Sequence, residues 1–316
     1  MVRWATRRRR QTDSGSGSAL GPQARGIFDR LFGSTPEPPR APRLEALSLA
    51  IVSGKGGTGK SFLATNLAVL MHQALRRVAI VDCDFGLACD HLLLGLSPKL
   101  TLQDFVSGRV GMLDLCVESP PGPVLVPGAQ GVRRMASLSD AELQRLGAGF
   151  AELAAAYDVL ILDVGAGISP QNVLTMLCAD HLVMVTEPEI AALTDAYAVI
   201  KCIAQLRERV AVSVVVNRVA SPGMGEATYQ KLAEVAQRYS GVSLTYLGEV
   251  AFDPKVTQRR LGQLPLVVTE PQDPISEAVR AVLRNLEGVT GPLAPRHVDA
   301  ETGLEARFRR HRLFLT

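Results

Sequence analysis

The stretch "IVSGKGGTGKSFLATNLA", residues 51–68, decides the fold. Gly54, Lys55, Gly56, Gly57, Thr58, Gly59, Lys60 and Ser61 fill every position of G-x-x-x-x-G-K-[ST], a phosphate-binding loop when it joins a strand to a helix. That context is present, because the apolar run "LSLAIVS" (47–53) precedes the loop and a helical pattern (60–74) follows it. The glycines let backbone N–H groups curl around phosphate oxygens, and the helix N-terminus adds a favourable dipole. Lys60 is placed to reach β- and γ-phosphates and Ser61 to ligate Mg²⁺. Phe62 completes the candidate cofactor-binding set. One residue is surplus to this chemistry: Lys55 is not needed to hold phosphate within one chain.

Outward from the loop, Val- and Ile-rich strands alternate with helices rich in Ala, Leu, Glu and Gln. The strands are expected at 47–53, 77–82, 124–128, 158–163, 181–186, 210–217 and 242–250, the helices near 60–74, 139–156, 170–178, 189–207, 225–239 and 272–287. Alternation of this kind predicts an α/β fold with a doubly wound, mostly parallel sheet in a single domain. The domain is expected over 45–290, with a disordered basic leader at 1–44 and a basic tail at 291–316. The formal charge of +3 divides unevenly, with nine Arg against three acids in 1–44 and five Arg against three acids in 291–316. The body is net negative, with twenty Lys or Arg against twenty-five acids, which disfavours a nucleic-acid-coating surface. The five cysteines form no C-x-x-C pair, as in a reduced cytoplasmic protein, and no stretch approaches a membrane span.

Two carboxylate clusters extend the phosphate site. "VDCDFG" ends one strand and sets Asp82 and Asp84 at the carboxyl edge of the sheet, where α/β folds bind ligands. "LILDVGAG" ends another and supplies Asp163 as the carboxylate that holds a metal-bound water, followed by Gly165 and Gly167 in a turn able to sense the γ-phosphate. Ser61, Asp84 and Asp163 are the candidate metal set. Each strand-end Asp, taken alone, equally suits a helix cap or a turn.

The K-G-G-x-G-K-[ST] pattern resembles the deviant Walker A ATPases of the MinD/ParA family, P-loop NTPases of the SIMIBI type. The segments "DCDFGLACDHLLLGLSPKLTLQDFVSGR" (82–109), "LILDVGAGISP" (160–170), "VTEPEIAALTDAYAVIK" (185–201), "VVNRV" (215–219) and "YLGEVAFDPKV" (246–256) are similar to its FlhG/FleN branch, regulators of flagellar number and placement. The resemblance implies ATP and Mg²⁺ as cofactors, slow ATP hydrolysis and an ATP-dependent homodimer. Lys55 is then the charge donated across the dimer to the partner's nucleotide, and Lys55, Lys60 and Asp84 form the catalytic set. Asp84 positions the hydrolytic water, Asp82 belongs to the first switch, and Asn217 reads the adenine. Cys89 stands where the branch usually has Asn, and Ser61 replaces the commoner Thr. An FlhF-like SRP-type GTPase is the implied partner, although "PQARGIF" (22–28) has Pro22 and Phe28 where the branch's stimulatory element has Asp and Arg.

Members of the family also end in an amphipathic helix that binds membrane with ATP. Here "GLEARFRRHRLFLT" (303–316) sets Leu304, Phe308 and Leu315 near one helical face among Arg307, Arg309, Arg310 and Arg312, suited to an anionic bilayer. A frayed terminus is the alternative. The implied location is the cytoplasm, with peripheral membrane attachment in the ATP state. A ParA-type DNA- or cargo-segregating ATPase and a MinD-type division-site regulator are the alternative functions. A ligase on this fold has no use for Lys55, and a reductase needs cluster-ligating cysteines, of which only Cys116 lies between the first switch and Asp163.

Overall fold

A computed structural model describes residues 43–129, 131, 135, 138–207, 211–259 and 262–312. The basic leader with "PQARGIF" and the anchor Leu315 lie outside the described residues.

The strands are β1 (Arg43–Glu45), β2 (Leu47–Val52), β3 (Val78–Cys83), β4 (Val117–Glu118), β5 (Val124–Val126), β6 (Val159–Val164), β7 (His181–Thr186), β8 (Val212–Val219), β9 (Leu244–Ala251) and β10 (Arg296–Val298). Eight of them form one sheet in the order β4-β5-β3-β6-β2-β7-β8-β9, parallel except for the edge strand β4. The loop strand β2 sits between β6 and β7 near the centre. Its side chains divide by twos: Leu47, Leu49 and Ile51 join one buried cluster, while Ala46, Ala50 and Val52 join another. That division is the period of a strand covered on both faces, and it explains why β2 reads as an unbroken apolar run.

The longer helices are α1 (Lys60–Gln73), α4 (Asp140–Ala156), α5 (Pro170–Cys178), α6 (Ile190–Leu206), α7 (Met224–Ser240) and α10 (Pro274–Thr290). Their starts are written in polar side chains. Ser139 and Glu142 form a reciprocal capping box at α4, and Ser169 accepts from the Asn172 amide ahead of Pro170 at α5, each cap satisfying amides that the helix leaves unpaired. Short helices α2 (Asp90–Leu93), α3 (Leu102–Val106), α8 (Pro254–Thr257) and α9 (Leu266–Thr269) occupy connections that the sequence pattern leaves as loops.

The tail is the main departure from expectation. Residues 291–312 do not hang free. β10 pairs antiparallel with β1, and a last helix, α11 (Leu304–Arg312), packs on α4 and α5. Leu304 and Phe308 are 1% and 2% exposed, so the apolar face read as a membrane anchor is turned into the core. The Phe308 ring meets Phe150 edge-on at 5.9 Å and fills the notch left by the missing side chain of Gly147, where a Cβ would lie 2.6 Å from it. Arg307 binds Asp180 at 2.8 Å and the Cys178 carbonyl at 2.8 Å, and the Leu304 amide donates to the buried carboxylate of Glu45 at 2.9 Å. The arginines that suggested a lipid surface are thus partly engaged within the fold.

Candidate functional site

The loop 54–59 leaves β2 at the carboxyl edge and turns directly into α1. Two close approaches fix its path. A Cβ on Gly54 would lie 2.1 Å from the Asp195 backbone on α6, and one on Gly59 would lie 2.2 Å from the Asn217 amide. Gly59 also has φ +89, a conformation L side chains rarely adopt. Ser53 donates to the Lys55 carbonyl at 2.8 Å, and Asn217 on β8 donates to the Thr58 carbonyl at 2.8 Å. Part of the hydrogen-bonding capacity of Asn217 is therefore spent on shaping the loop. The start of α1 has no side-chain cap and no acid in its first turn, so its free amides and dipole are left for an anion.

Two cavities meet at the start of α1. One, of about 580 Å³, is lined by the loop and by Lys60, Ser61, Asp84, Cys89, Gly165 and Asn172. The other, of about 290 Å³ and largely apolar, is lined by Phe62, Asn217, Arg218, Phe252, Asp253 and Leu264 among others. Gly59 and Phe62 border both. The first brings Lys60, Ser61 and Asp84 to the start of α1, where phosphates bind, and the second adjoins it past Gly59 and Phe62.

The chamber's electrostatics are set by buried carboxylates. Asp82, Asp90 and Asp163 are 1%, 0% and 2% exposed. Asp82 accepts from the amides of Asp84, Cys89 and Asp90, which ties the segment 84–90 to the end of β3. The Ser61 hydroxyl donates to Asp163 Oδ2. Burial holds all three carboxyls above the usual carboxylate range; Asp82 and Asp90 are raised further by the neighbouring Asp163, while Lys60 pulls Asp163 back down. Asp90 and Asp163 face one another with their carboxyls sharing a hydrogen bond, and the buried Thr58 Oγ1 has no partner. A carboxylate pair behind the Ser61 hydroxyl suits a cation. Among the described residues no group of three or more His, Cys, Asp or Glu is arranged to hold a metal alone. The fit is to an ion that takes few protein ligands and keeps phosphate and water oxygens, as Mg²⁺ does.

Asp84 lines the chamber, its Oδ1 held by the amides of Gly86 and Leu87 at 3.1 and 2.9 Å. Lys55 is not among the lining residues. Its ammonium sits on the rim, 2.7 Å from Glu189 at the start of α6, with the two side chains 43% and 58% exposed.

The structure adds residues that the motifs did not name. Asp90 stands behind Asp163. Asn172 donates to the carbonyls of Gly165 and Ala166 at 2.9 and 3.0 Å and so fixes the turn that follows β6. Arg218, at φ 55, binds the nearly buried Glu187 at 3.1 Å beside the apolar cavity. The one signal for Asp90 is an acid in an otherwise apolar run, "LACDHLLLG"; Asn172 and Glu187 carry none.

Fold and site together define a phosphate-loop nucleotide-binding protein. Residues 49–266 match the family described as the CobQ/CobB/MinD/ParA nucleotide binding domain, and the chain belongs to that family. It is 34% identical over 248 residues to the antiactivator FleN of Pseudomonas aeruginosa, covering 78% of this chain and 89% of FleN. It is 32% identical over 203 residues to the flagellum site-determining protein YlxH of Helicobacter pylori, covering 64% of this chain and 68% of YlxH. Among solved structures, the septum site-determining protein MinD of Pyrococcus horikoshii, in complex with Mg-ADP, superposes with a TM-score of 0.65 at 26% identity, over 78% of this chain and 98% of that one. These similarities support the FlhG/FleN branch of the family. No helix among the described residues is long and apolar enough to cross a membrane.

Proposed function

We propose that this chain is an ATP-driven regulatory switch. It binds Mg-ATP, pairs with a second copy while the triphosphate is intact, and returns to the single state after slow hydrolysis. Its output is control of flagellar number or placement at the membrane. The observation that carries the reading is Lys55, a loop lysine that does not line its own phosphate chamber and forms an exposed ion pair with Glu189. Solvent screens an exposed pair of this kind and holds the side chain weakly, so the ammonium is available to a partner's nucleotide.

Placement supports the remaining roles of this reading. Lys60 holds the β- and γ-phosphates, the loop amides hold their oxygens, and the apolar cavity takes the base with Asn217 at its edge. Ser61 and Asp163 hold the metal, joined by Asp84. A bound Mg²⁺ supplies charge neutralisation on the phosphates. Asp84, fixed by the Gly86 and Leu87 amides, orients the attacking water. Lys55 of the opposite copy stabilises charge on the transferring phosphoryl group.

Membrane attachment through 303–316 requires α11 to leave its seat. Exposing Leu304 and Phe308 costs about 3–6 kcal/mol at 1.5–3 kcal/mol for each side chain. Two released helices in one dimer offset that cost through avidity, which links attachment to ATP. Phosphate release from Mg-ATP by the purified chain tests the enzymatic core of this reading. Asp84→Ala keeps nucleotide binding and loses phosphate release; turnover equal to that of the unaltered chain removes Asp84 from its role.

A further inference from the structure

The cavity assigned to the base has one wall that does not stand by itself. Leu264, Pro265 and Leu266 line it and lead into α9, a helix of only four residues. A single helical turn fixes several dihedrals for almost no hydrogen bonds of its own, so it is unfavourable in isolation. Leu264, ahead of the turn, is only half-buried. The place of this wall is therefore set by the side chains that grip it.

Two side chains that line the cavity do so. Asn66 on α1 accepts from the Val267 amide at 3.1 Å and donates to the Phe62 carbonyl at 2.7 Å, which ties the start of α9 to the helix that follows the phosphate loop. Arg259, just past the end of α8, spans α9 from end to end. Its Nη2 donates to the Leu264 carbonyl ahead of the helix and, at 3.1 Å, to the hydroxyl of Thr269, the helix's last residue. Its Nη1 pairs with Glu270 at 3.3 Å, and the arginine side chain is 16% exposed. Between the two grips, the Gly262 amide hooks the segment to the Leu92 carbonyl on α2 at 3.2 Å.

We infer that Arg259 is a positioning residue that sets specificity: by holding Leu264 and α9 against the cavity, it makes the chain select a nucleoside triphosphate over a bare triphosphate. This rests on the nucleotide-binding reading above. The wall meets the base side of a nucleotide, while the phosphates are gripped by the loop, Lys60 and Ser61, none of which contacts Arg259 among the described hydrogen bonds and ion pairs. Without the guanidinium, water takes over the Leu264 carbonyl and the Thr269 hydroxyl, and the wall is free to leave the cavity. One apolar side of the base then faces solvent, and the burial that favoured it is lost. That loss falls on the base and spares the phosphates. A lysine at this position keeps one cationic donor for the Leu264 carbonyl but has no planar fork to span the helix.

The test is calorimetry on the full chain with Mg²⁺ and either a non-hydrolysable ATP analogue or tripolyphosphate. The unaltered chain is expected to hold the analogue more tightly than tripolyphosphate. Arg259→Ala should hold the analogue at least about tenfold more weakly and keep tripolyphosphate affinity within about twofold, as for an independent site. Arg259→Lys should recover part of the loss. Thr269→Val removes one acceptor without altering charge and should weaken the analogue alone, by about threefold; it decides the matter if Arg259→Ala does not fold. The inference is overturned if the two ligands weaken together, as loss of a general cation or of the fold would produce, or if the analogue is bound as before. An unaltered chain that binds both ligands alike shows that the cavity takes no base, and one that binds neither overturns the nucleotide reading itself, so the failures are distinguishable.

Discussion

Truncating Phe308 to alanine tests whether the last helix belongs to the domain. The ring is 2% exposed, sits edge-on to Phe150 at 5.9 Å, and fills a notch formed at Gly147. Removing a buried phenyl ring costs about 3–5 kcal/mol when the site cannot collapse. A helix of nine residues can close part of the gap, so the lower part of that range applies, about 3 kcal/mol. Within that figure the edge-on contact supplies roughly 1 kcal/mol, readable as the coupling in a cycle with Phe150→Ala. Urea unfolding followed by circular dichroism reads both quantities. If α11 unfolds with the rest, the midpoint falls and the transition stays single with an unchanged slope. A loss below about 1 kcal/mol, the size of an ordinary surface change, would show that α11 is not seated as described. Zero coupling would show that the two rings do not touch.

Two further outcomes are expected. His181 is buried and shares a 2.9 Å hydrogen bond with Ser213; burial, aided by the charge of Arg296, lowers its pKa from 6.5 to about 4. Between those values the unfolded chain holds the extra proton, so this contribution is complete above about pH 6.5 and is lost as pH falls towards 4, roughly 3 kcal/mol in all. Urea midpoints at pH 7 and 4.5 should converge in His181→Gln relative to the parent, and an equal drop in both would refute the assignment. Gly59→Ala forces φ +89 on a residue with a Cβ and drives that Cβ against Asn217. A left-handed non-glycine residue costs about 1–2 kcal/mol, so a fluorescent ATP analogue should bind at least about tenfold more weakly; unchanged affinity would mean that the Asn217 brace does not shape the loop.

The parallel sheet and the phosphate loop were legible because their causes are local. Val and Ile runs such as 159–162 form buried strands on their own chemistry, and the spacing of Gly54, Gly59, Lys60 and Ser61 is a property of one turn. The fate of the tail was not legible. "GLEARFRR" has the pattern of a lipid-facing helix, yet Phe308 and Arg307 find Gly147, Phe150 and Asp180 more than 120 residues away. Amphipathicity states that a face must be covered and does not say by what. Asp90, Asn172, Glu187 and Glu189 were missed for the same reason. Each is an ordinary polar residue until folding brings it to Asp163, Gly165, Arg218 or Lys55.

The central claim is that a positive side chain from one copy completes the nucleotide site of the other. Sedimentation with saturating Mg²⁺ and a non-hydrolysable ATP analogue addresses it directly. The unaltered chain should move at twice its single-chain mass and Lys55→Ala at the single-chain mass, with both holding nucleotide. An unaltered chain that stays single, or a Lys55→Ala variant that pairs equally well, would contradict the account.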